Sequence, residues 1–304
     1  MHFHKLVFNH SGSANCVQRV NRKAASMIGL RHIPRLNQKL DETEDSWFAM
    51  DAGKKSLQEW LCSVKTHQWR GEQIYSIKHG GFYRFQQENK NILPQLVKSV
   101  CEFLQVMVQF RHVHGDLRPE NILIEFNEYR TFIVDTKVVD YGNTCSFDDM
   151  SKIGGSSVEY LPPEVLELIQ NRTQYPFTAS AASVSEKSFA WSVDIWSLGV
   201  ILMEIATGYP VWMGLKVKQL NLNGKSYVGK GLFGVKDRQL EALIAQQKKI
   251  VSNIPATLKK FESYGLAQDE DFLDLLEKML QVDPKKRISP HGILKHKYLN
   301  KDSY

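Results

Sequence analysis

The densest run of chemically competent side chains is His114-Gly115-Asp116-Leu117-Arg118-Pro119-Glu120-Asn121, and nineteen residues after Asn121 comes Asp140-Tyr141-Gly142. An aspartate on a loop can accept a proton from a hydroxyl. An asparagine and a second aspartate at strand edges supply the hard oxygen ligands that Mg²⁺ takes. A cation two residues past the first aspartate can neutralise a transferring phosphoryl group. Phosphoryl transfer needs this inventory because its catalysis is mostly positioning and charge neutralisation. His112 and His114 form an HxH pair with no carboxylate or third histidine to complete a metal site, so His114 reads as a buried structural histidine. Gly229-Lys230-Gly231-Leu232-Phe233-Gly234 fits GxGxxG, but it follows the Asp116 run and lacks a strand–turn–strand setting. It reads as a flexible loop.

The flanking elements explain how such residues could meet. From Pro94, apolar residues recur at Leu96, Val97, Val100, Cys101, Leu104, Met107, Val108 and Phe110, which predicts a long helix. ILIEF (122–126) and TFIVDTKVVDY (131–141) predict paired strands around a turn near Asn127. The Asp116 loop then joins a helix to a strand, and Asp140 ends the next strand. Ala190 to Thr207 is apolar on nearly every face, as in a helix buried at the centre of a large domain. Further helices are expected near 238–252, 271–281 and 290–297. Upstream, LVF (6–8), PRL (34–36) and WFAM (47–50) predict short strands, and 14–30 a helix. Residues 51–55 predict a polar turn, and SLQEWLCSV (56–64) a helix capped by Ser56. Residues 178–188 and the Gly- and Lys-rich 221–237 read as irregular. Strands early and helices late predict an α+β fold with a dominant helical part.

At this point the sequence resembles the protein kinase family. HGDLRPEN is similar to the catalytic loop HRDLKPEN, and DYG to the metal-binding DFG. Tyr160-Leu161-Pro162-Pro163-Glu164 resembles the Y-x-APE that closes the activation segment. Asp194-Ile195-Trp196-Ser197-Leu198-Gly199 resembles the DxWSxG start of the buried central helix. Asp283-Pro284-Lys285-Lys286-Arg287-Ile288 resembles the late DPxxR. The five motifs occur in family order.

The resemblance implies a protein kinase-like bilobal α+β fold. Residues 1–50 would form a reduced β-rich N-terminal lobe and 51–55 a hinge. Residues 56–300 would form a complete, mainly helical C-terminal lobe, with the catalytic loop at 114–121 and the activation segment at 140–164. Asp116 would be the catalytic base. Arg118 would stand where the family has a lysine on the γ-phosphate, with a longer and planar head. Asn121 and Asp140 would hold Mg²⁺. Glu164 and Arg287 would form a structural ion pair, and Asp194 would brace the catalytic loop. Ser157 occupies the place of the hydroxyl residue that touches the catalytic aspartate. A basic residue two after Asp116 resembles serine/threonine more than tyrosine kinases. Upstream, Met50 would be the gatekeeper and Asp51 to Gly53 the adenine-contacting hinge. Arg31-His32-Ile33-Pro34 resembles the HPxI entrance to the preceding strand.

Three departures bear on activity. Lys5, 46 residues before Asp51, stands near the place of the family's strand lysine. The helix glutamate that pairs with that lysine has no counterpart, because residues 1–40 contain no carboxylate, and no room for a Gly-rich loop precedes Lys5. Gly115 stands where most of the family has an arginine that binds an activation-segment phosphate. Phosphorylation of Ser151, Ser156 or Ser157 would then have no evident cationic partner, and no strict dependence on it is expected.

Composition narrows the field. The chain has 304 residues, with 42% hydrophobic and 11% aromatic content, enough for a packed core and too much for long-range disorder. The net charge of +6 invites a nucleic-acid reading, but seven of the 39 basic groups lie in residues 1–40, leaving 32 basic against 33 acidic groups in 41–304. Nucleic acid is not an expected partner. Four cysteines (Cys16, Cys62, Cys101, Cys145) without a CxxC pair suit a reducing compartment. The N-terminal sequence is no signal peptide and no apolar stretch is long enough to span a bilayer, so a cytoplasmic or nuclear location is expected. The leading expectation is a serine/threonine kinase, a monomer, with Mg·ATP as cofactor and a Ser/Thr protein as partner. The alternative is a pseudokinase scaffold acting by protein binding. A start upstream of Met1, carrying the missing strands, is the third possibility.

Overall fold

The computed structural model describes residues 32, 36–41, 46–50, 54–69, 72–148, 150, 153, 157–174, 189–210, 220–222, 225–227, 240–261 and 263–300. The strand expected at 6–8 and the helix expected at 14–30 lie outside them. The first hairpin pairs β1 (Leu36–Asp41) with β2 (Ser46–Met50), antiparallel, with a bulge between Leu36 and Gln38. The WFAM expectation matches β2. The strand expected at 34–36 instead runs over LNQKLD, because backbone pairing with β2 sets its limits, not an apolar cluster of its own.

β3 (Lys55–Ser56) leads into α1 (Leu57–Leu61). Ser56 closes a capping box: its Oγ accepts from Glu59 N at 3.3 Å, and Glu59 Oε2 accepts from Ser56 N at 2.8 Å. The helix stops at Leu61, short of the expected Val64, because Cys62 turns extended at φ −161°. There begins β4 (Cys62–Trp69), which pairs residue for residue with β5 (Glu72–His79), from Cys62↔His79 to Trp69↔Glu72. This hairpin was not expected. Its apolar residues are sparse, and CSV at the end of a helical pattern satisfies either period, so the local signal was confined to scattered strand formers, Val64 and Thr66 in one strand and Ile74, Tyr75 and Ile77 in the other.

α2 (Gly81–Glu88) and α3 (Ile92–Gln109) follow, the second matching the helix predicted around Pro94. β6 (His112–Val113) precedes the Asp116 loop, and β7 (Ile122–Phe126) and β8 (Ile133–Val138) form the predicted hairpin. Its turn is held by Asn127, whose Oδ1 accepts from Thr131 N at 2.7 Å and Phe132 N at 3.2 Å. β3 adds to β7 as a third strand, and β9 (Cys145–Ser146) pairs with β6.

The remainder is mainly helical: α4 (Pro163–Gln174), α5 (Ser192–Thr207), α6 (Leu240–Val251), α7 (Ile254–Leu258), α8 (Glu270–Met279) and α9 (Pro290–Leu294). Every residue of α5 is buried, as its all-round apolarity predicted. α5 packs on α8, where a Cβ at Gly199 would lie 2.8 Å from Leu280, so glycine sets that approach. Two strands, β10 (Leu220–Leu222) and β11 (Lys225–Tyr227), fall where an irregular segment was expected, since their pairing to each other carries no apolar pattern. The GxGxxG at 229–234 and the 178–188 segment lie outside the described residues. The α+β expectation holds. Among the described residues, no helix is long and apolar enough to cross a membrane.

Candidate active site

The loop after β6 is fixed from beneath by Asp194, in the first turn of α5. Its Oδ2 accepts from His114 N at 2.7 Å and its Oδ1 from Gly115 N at 3.0 Å. Asp194 is fully buried, which pushes its carboxyl pKa up, while His114 and the two amides act the other way. His114 is also structural: Nε2 donates to Val139 O at 3.0 Å and Nδ1 accepts from Asp116 N at 3.4 Å. His112 bonds instead to Phe110 O, so the HxH pair does not converge. Among the described residues no group of three or more His, Cys, Asp or Glu side chains is placed to hold a metal.

Asp116 is buried, at 5% exposure, and its two carboxylate oxygens differ. Oδ2 accepts from Asn121 Nδ2 at 3.4 Å and from Asn143 Nδ2 at 3.3 Å. Oδ1 faces Arg118 Nε at 3.9 Å. Arg118 Nη1 donates to Ser157 Oγ at 3.0 Å. Ser157 was expected against Asp116; its described hydrogen bond goes to Arg118, which bridges the two. Arg118 Nε is buried with no hydrogen-bond acceptor, and Glu120 Oε2 lies 4.0 Å from it.

Asn121 and Asp140, nineteen residues apart, come to the same end of the β7–β8 hairpin. Ile122 is registered against Val138, and Val139 N donates to Asn121 O at 2.9 Å. Asn121 spends its amide nitrogen on Asp116 O at 2.8 Å, which orients its oxygen away from that bond. Asp140 has a left-handed backbone, φ +64°, and its Oδ1 accepts from Gly142 N at 3.3 Å. Such conformations cost energy in non-glycine residues and gather at functional sites. Tyr141 is buried among Phe103 and His114, and its hydroxyl donates to Val138 O at 2.9 Å. The extra oxygen relative to the family's phenylalanine is thereby satisfied.

The donor set fits Mg²⁺: one carboxylate and one amide oxygen, both hard, with coordination left over for phosphate oxygens. Further along, Arg287 makes the expected pair with Glu164, bidentate at 2.5 and 2.7 Å. Met50 is the last residue of β2. Lys5, Asp51 and Gly53 lie outside the described residues. Lys55 and Ser56, in β3, pair with the hairpin opposite Ile124 and Leu123. The contact that sequence reasoning missed is Asn143. Its position directly after Asp140-Tyr141-Gly142 was the available signal, but only the fold turns its amide onto Asp116.

Comparison with known proteins is consistent with this geometry. A family model described as protein kinase domain matches residues 74–299. The dual specificity tyrosine-phosphorylation-regulated kinase 2 of Drosophila melanogaster is 26% identical over 69% of this chain. The mitogen-activated protein kinase spk1 of Schizosaccharomyces pombe is 28% identical over 66% of it, and the human dual specificity protein kinase CLK1 26% over 74%. The chain spans 27%, 49% and 47% of those three proteins. Among solved structures, Rad53 1–466 in complex with AMP-PNP is similar with a TM-score of 0.55 at 17% identity, covering 95% of this chain and 55% of that one. The Rad53 kinase domain with SCD2 gives 0.54, covering 97% of this chain and 80% of that one. That likeness concerns the fold alone.

Proposed function

This chain belongs to the protein kinase family, and we propose that within it the protein is a serine/threonine kinase transferring the γ-phosphoryl group of Mg·ATP to a protein hydroxyl. The observation that carries the reading is the asymmetry of Asp116. Two amides hold Oδ2, leaving Oδ1 to receive a hydroxyl proton. As the substrate oxygen bonds to the γ-phosphorus, its proton passes to Oδ1, the bond to the bridging oxygen breaks, and ADP leaves. Arg118, with a buried Nε–H that has no acceptor, would take a phosphoryl oxygen. Asn121 and Asp140 would hold Mg²⁺, which supplies charge neutralisation. Met50, Asp51 and Gly53 would receive the adenine, and Lys5 the phosphates. AMP-PNP in the Rad53 complex supports a nucleotide ligand. The partner is a protein with a Ser or Thr acceptor, the protein a monomer, its location intracellular, without a nucleic-acid partner.

A second reading, a pseudokinase scaffold, is favoured by one observation: residues 1–40 contain no carboxylate to pair with a strand lysine. Transfer from Mg·ATP to a generic Ser/Thr peptide separates the two. The wild type is expected to exceed Asp116→Asn by about a hundredfold or more. Equal rates would overturn the kinase reading, and a melting shift with Mg·ATP would then distinguish a nucleotide-binding scaffold from an inert one.

A further inference from the structure

Gly115, a departure from the family pattern, lies against Asn143, one of the two amides on Asp116 Oδ2. Asn143 Nδ2 donates to Asp116 Oδ2 at 3.3 Å. Asn121 reaches the same oxygen at 3.4 Å, but its shorter bond, 2.8 Å, goes to the Asp116 backbone carbonyl. A carboxylate torsion is soft and twofold, so without a donor on one oxygen the two would exchange roles. The segment carrying Asn143 lies directly on the catalytic loop. β9 is laddered to β6, and Thr144 Oγ1 donates to His114 O at 3.4 Å. Gly115 allows this approach. It has φ +78°, and a Cβ there would sit 2.7 Å from Asn143 O, closer than real Cβ contacts come.

We propose that Asn143 is a positioning residue for the transfer: its amide holds the Asp116 carboxylate so that Oδ1 faces the acceptor hydroxyl, and Gly115 is the residue that lets Asn143 approach. The segment following Asp140 is thereby tied to the catalytic loop by an amide, where an arginine at 115 would have needed an activation-segment phosphate. The inference deepens the kinase reading and rests on it.

Steady-state transfer from Mg·ATP to a Ser peptide tests it, with rates normalised to the folded fraction from thermal melts. Asn143→Leu should lower kcat about tenfold with both KM values within about twofold, the loss of one hydrogen bond to a charged group. Asn143→Asp keeps the shape, loses the donor and should lose at least as much. Gly115→Ala should lower kcat alone yet add little in the Asn143→Leu background, since both act through one contact. Wild-type kcat in Asn143→Leu and Asn143→Asp, an effect confined to KM, or full additivity in the double variant would each overturn the positioning role while the kinase reading stands. A wild type no faster than Asp116→Asn would overturn both.

Discussion

Arg118 shares one guanidinium among several groups. Nη1 is bonded to Ser157 Oγ at 3.0 Å, while Nε lies 3.9 Å from Asp116 Oδ1 and 4.0 Å from Glu120 Oε2, buried and without a hydrogen-bond acceptor. A lysine offers a point charge and could not hold the Ser157 bond and present a second N–H in a fixed plane. The arginine is therefore anchored through Nη1, while its buried Nε–H keeps no hydrogen-bond acceptor. Arg118→Ala should lower kcat for peptide transfer about a hundredfold with a smaller effect on KM, as for the loss of a group that stabilises developing charge. Arg118→Lys should recover part of it, and Ser157→Ala, which frees the anchored end, should fall between wild type and Arg118→Lys. Steady-state kinetics on the three variants decides the order; an Arg118→Ala enzyme as fast as wild type would remove Arg118 from the reaction.

The β4–β5 hairpin is joined to the body at its base. Gly80 N donates to Leu61 O at 2.7 Å, and His79 Nε2 donates to Gly208 O at 3.0 Å. Beyond that base Ser63, Lys65, Thr66, Gln68 and Lys78 are exposed. Replacing residues 65–76 by Asn-Gly, a two-residue turn suited to the Val64↔Ile77 pair, should change the melting temperature by no more than about 3 °C. A larger fall would mean that the outer hairpin supports the core. A second element-level seam joins α8 to the turn at Lys297–Leu299. His296 Nε2 donates to Asp274 Oδ2 at 3.0 Å, and Lys278 Nζ to the same oxygen at 2.8 Å. The Lys278 hydrogen bond holds the Asp274 carboxyl below its ordinary range, and burial lowers the His296 imidazole below 6.5. Unfolded chain then binds a proton at His296 more readily than folded chain. Stability falls as pH drops through 6.5, and falls again as Asp274 is protonated. Melts from pH 7.5 down to 5.5 should show this decline, and His296→Gln should flatten it; an unchanged slope would show that the seam does not titrate there.

Across the whole molecule, α5 is the shared support. Its Asp194 carries the loop after β6, its Ser197 Oγ donates to Tyr160 O at 2.9 Å, and Ser192 O accepts from Arg287 at 3.3 Å. Arg287 has a fully buried side chain that stacks on Trp196 with 4.9 Å to the ring centroid and grips Glu164 with two bonds. The pair ties the start of α4 to the last third of the chain. Arg287 is buried but Glu164 is a quarter exposed, so Arg287→Ala, which leaves that carboxylate without its partner, should cost about 1.5–3 kcal/mol in urea unfolding. A cost under about 1 kcal/mol, the range of surface pairs, would show that the pair is not structural.

The amino-acid sequence already contained the run around Asp116, the Asp140 motif, α3, the β7–β8 hairpin and α5, because each rests on local information: residue type, a turn asparagine, or an apolar period over many residues. It also contained the Glu164–Arg287 partnership, through the family resemblance, though the two are 123 residues apart. The amide of Asn143 on Asp116, the anchoring of Arg118 by Ser157, the left-handed Asp140 and the β4–β5 hairpin were decided by tertiary structure. Each depends on contacts between residues up to 39 apart, or on backbone geometry imposed by neighbours, that leave no periodic mark along the chain. Short polar side chains can bond to whatever the fold brings within about 3 Å, so their partners are set only once the apolar elements have packed.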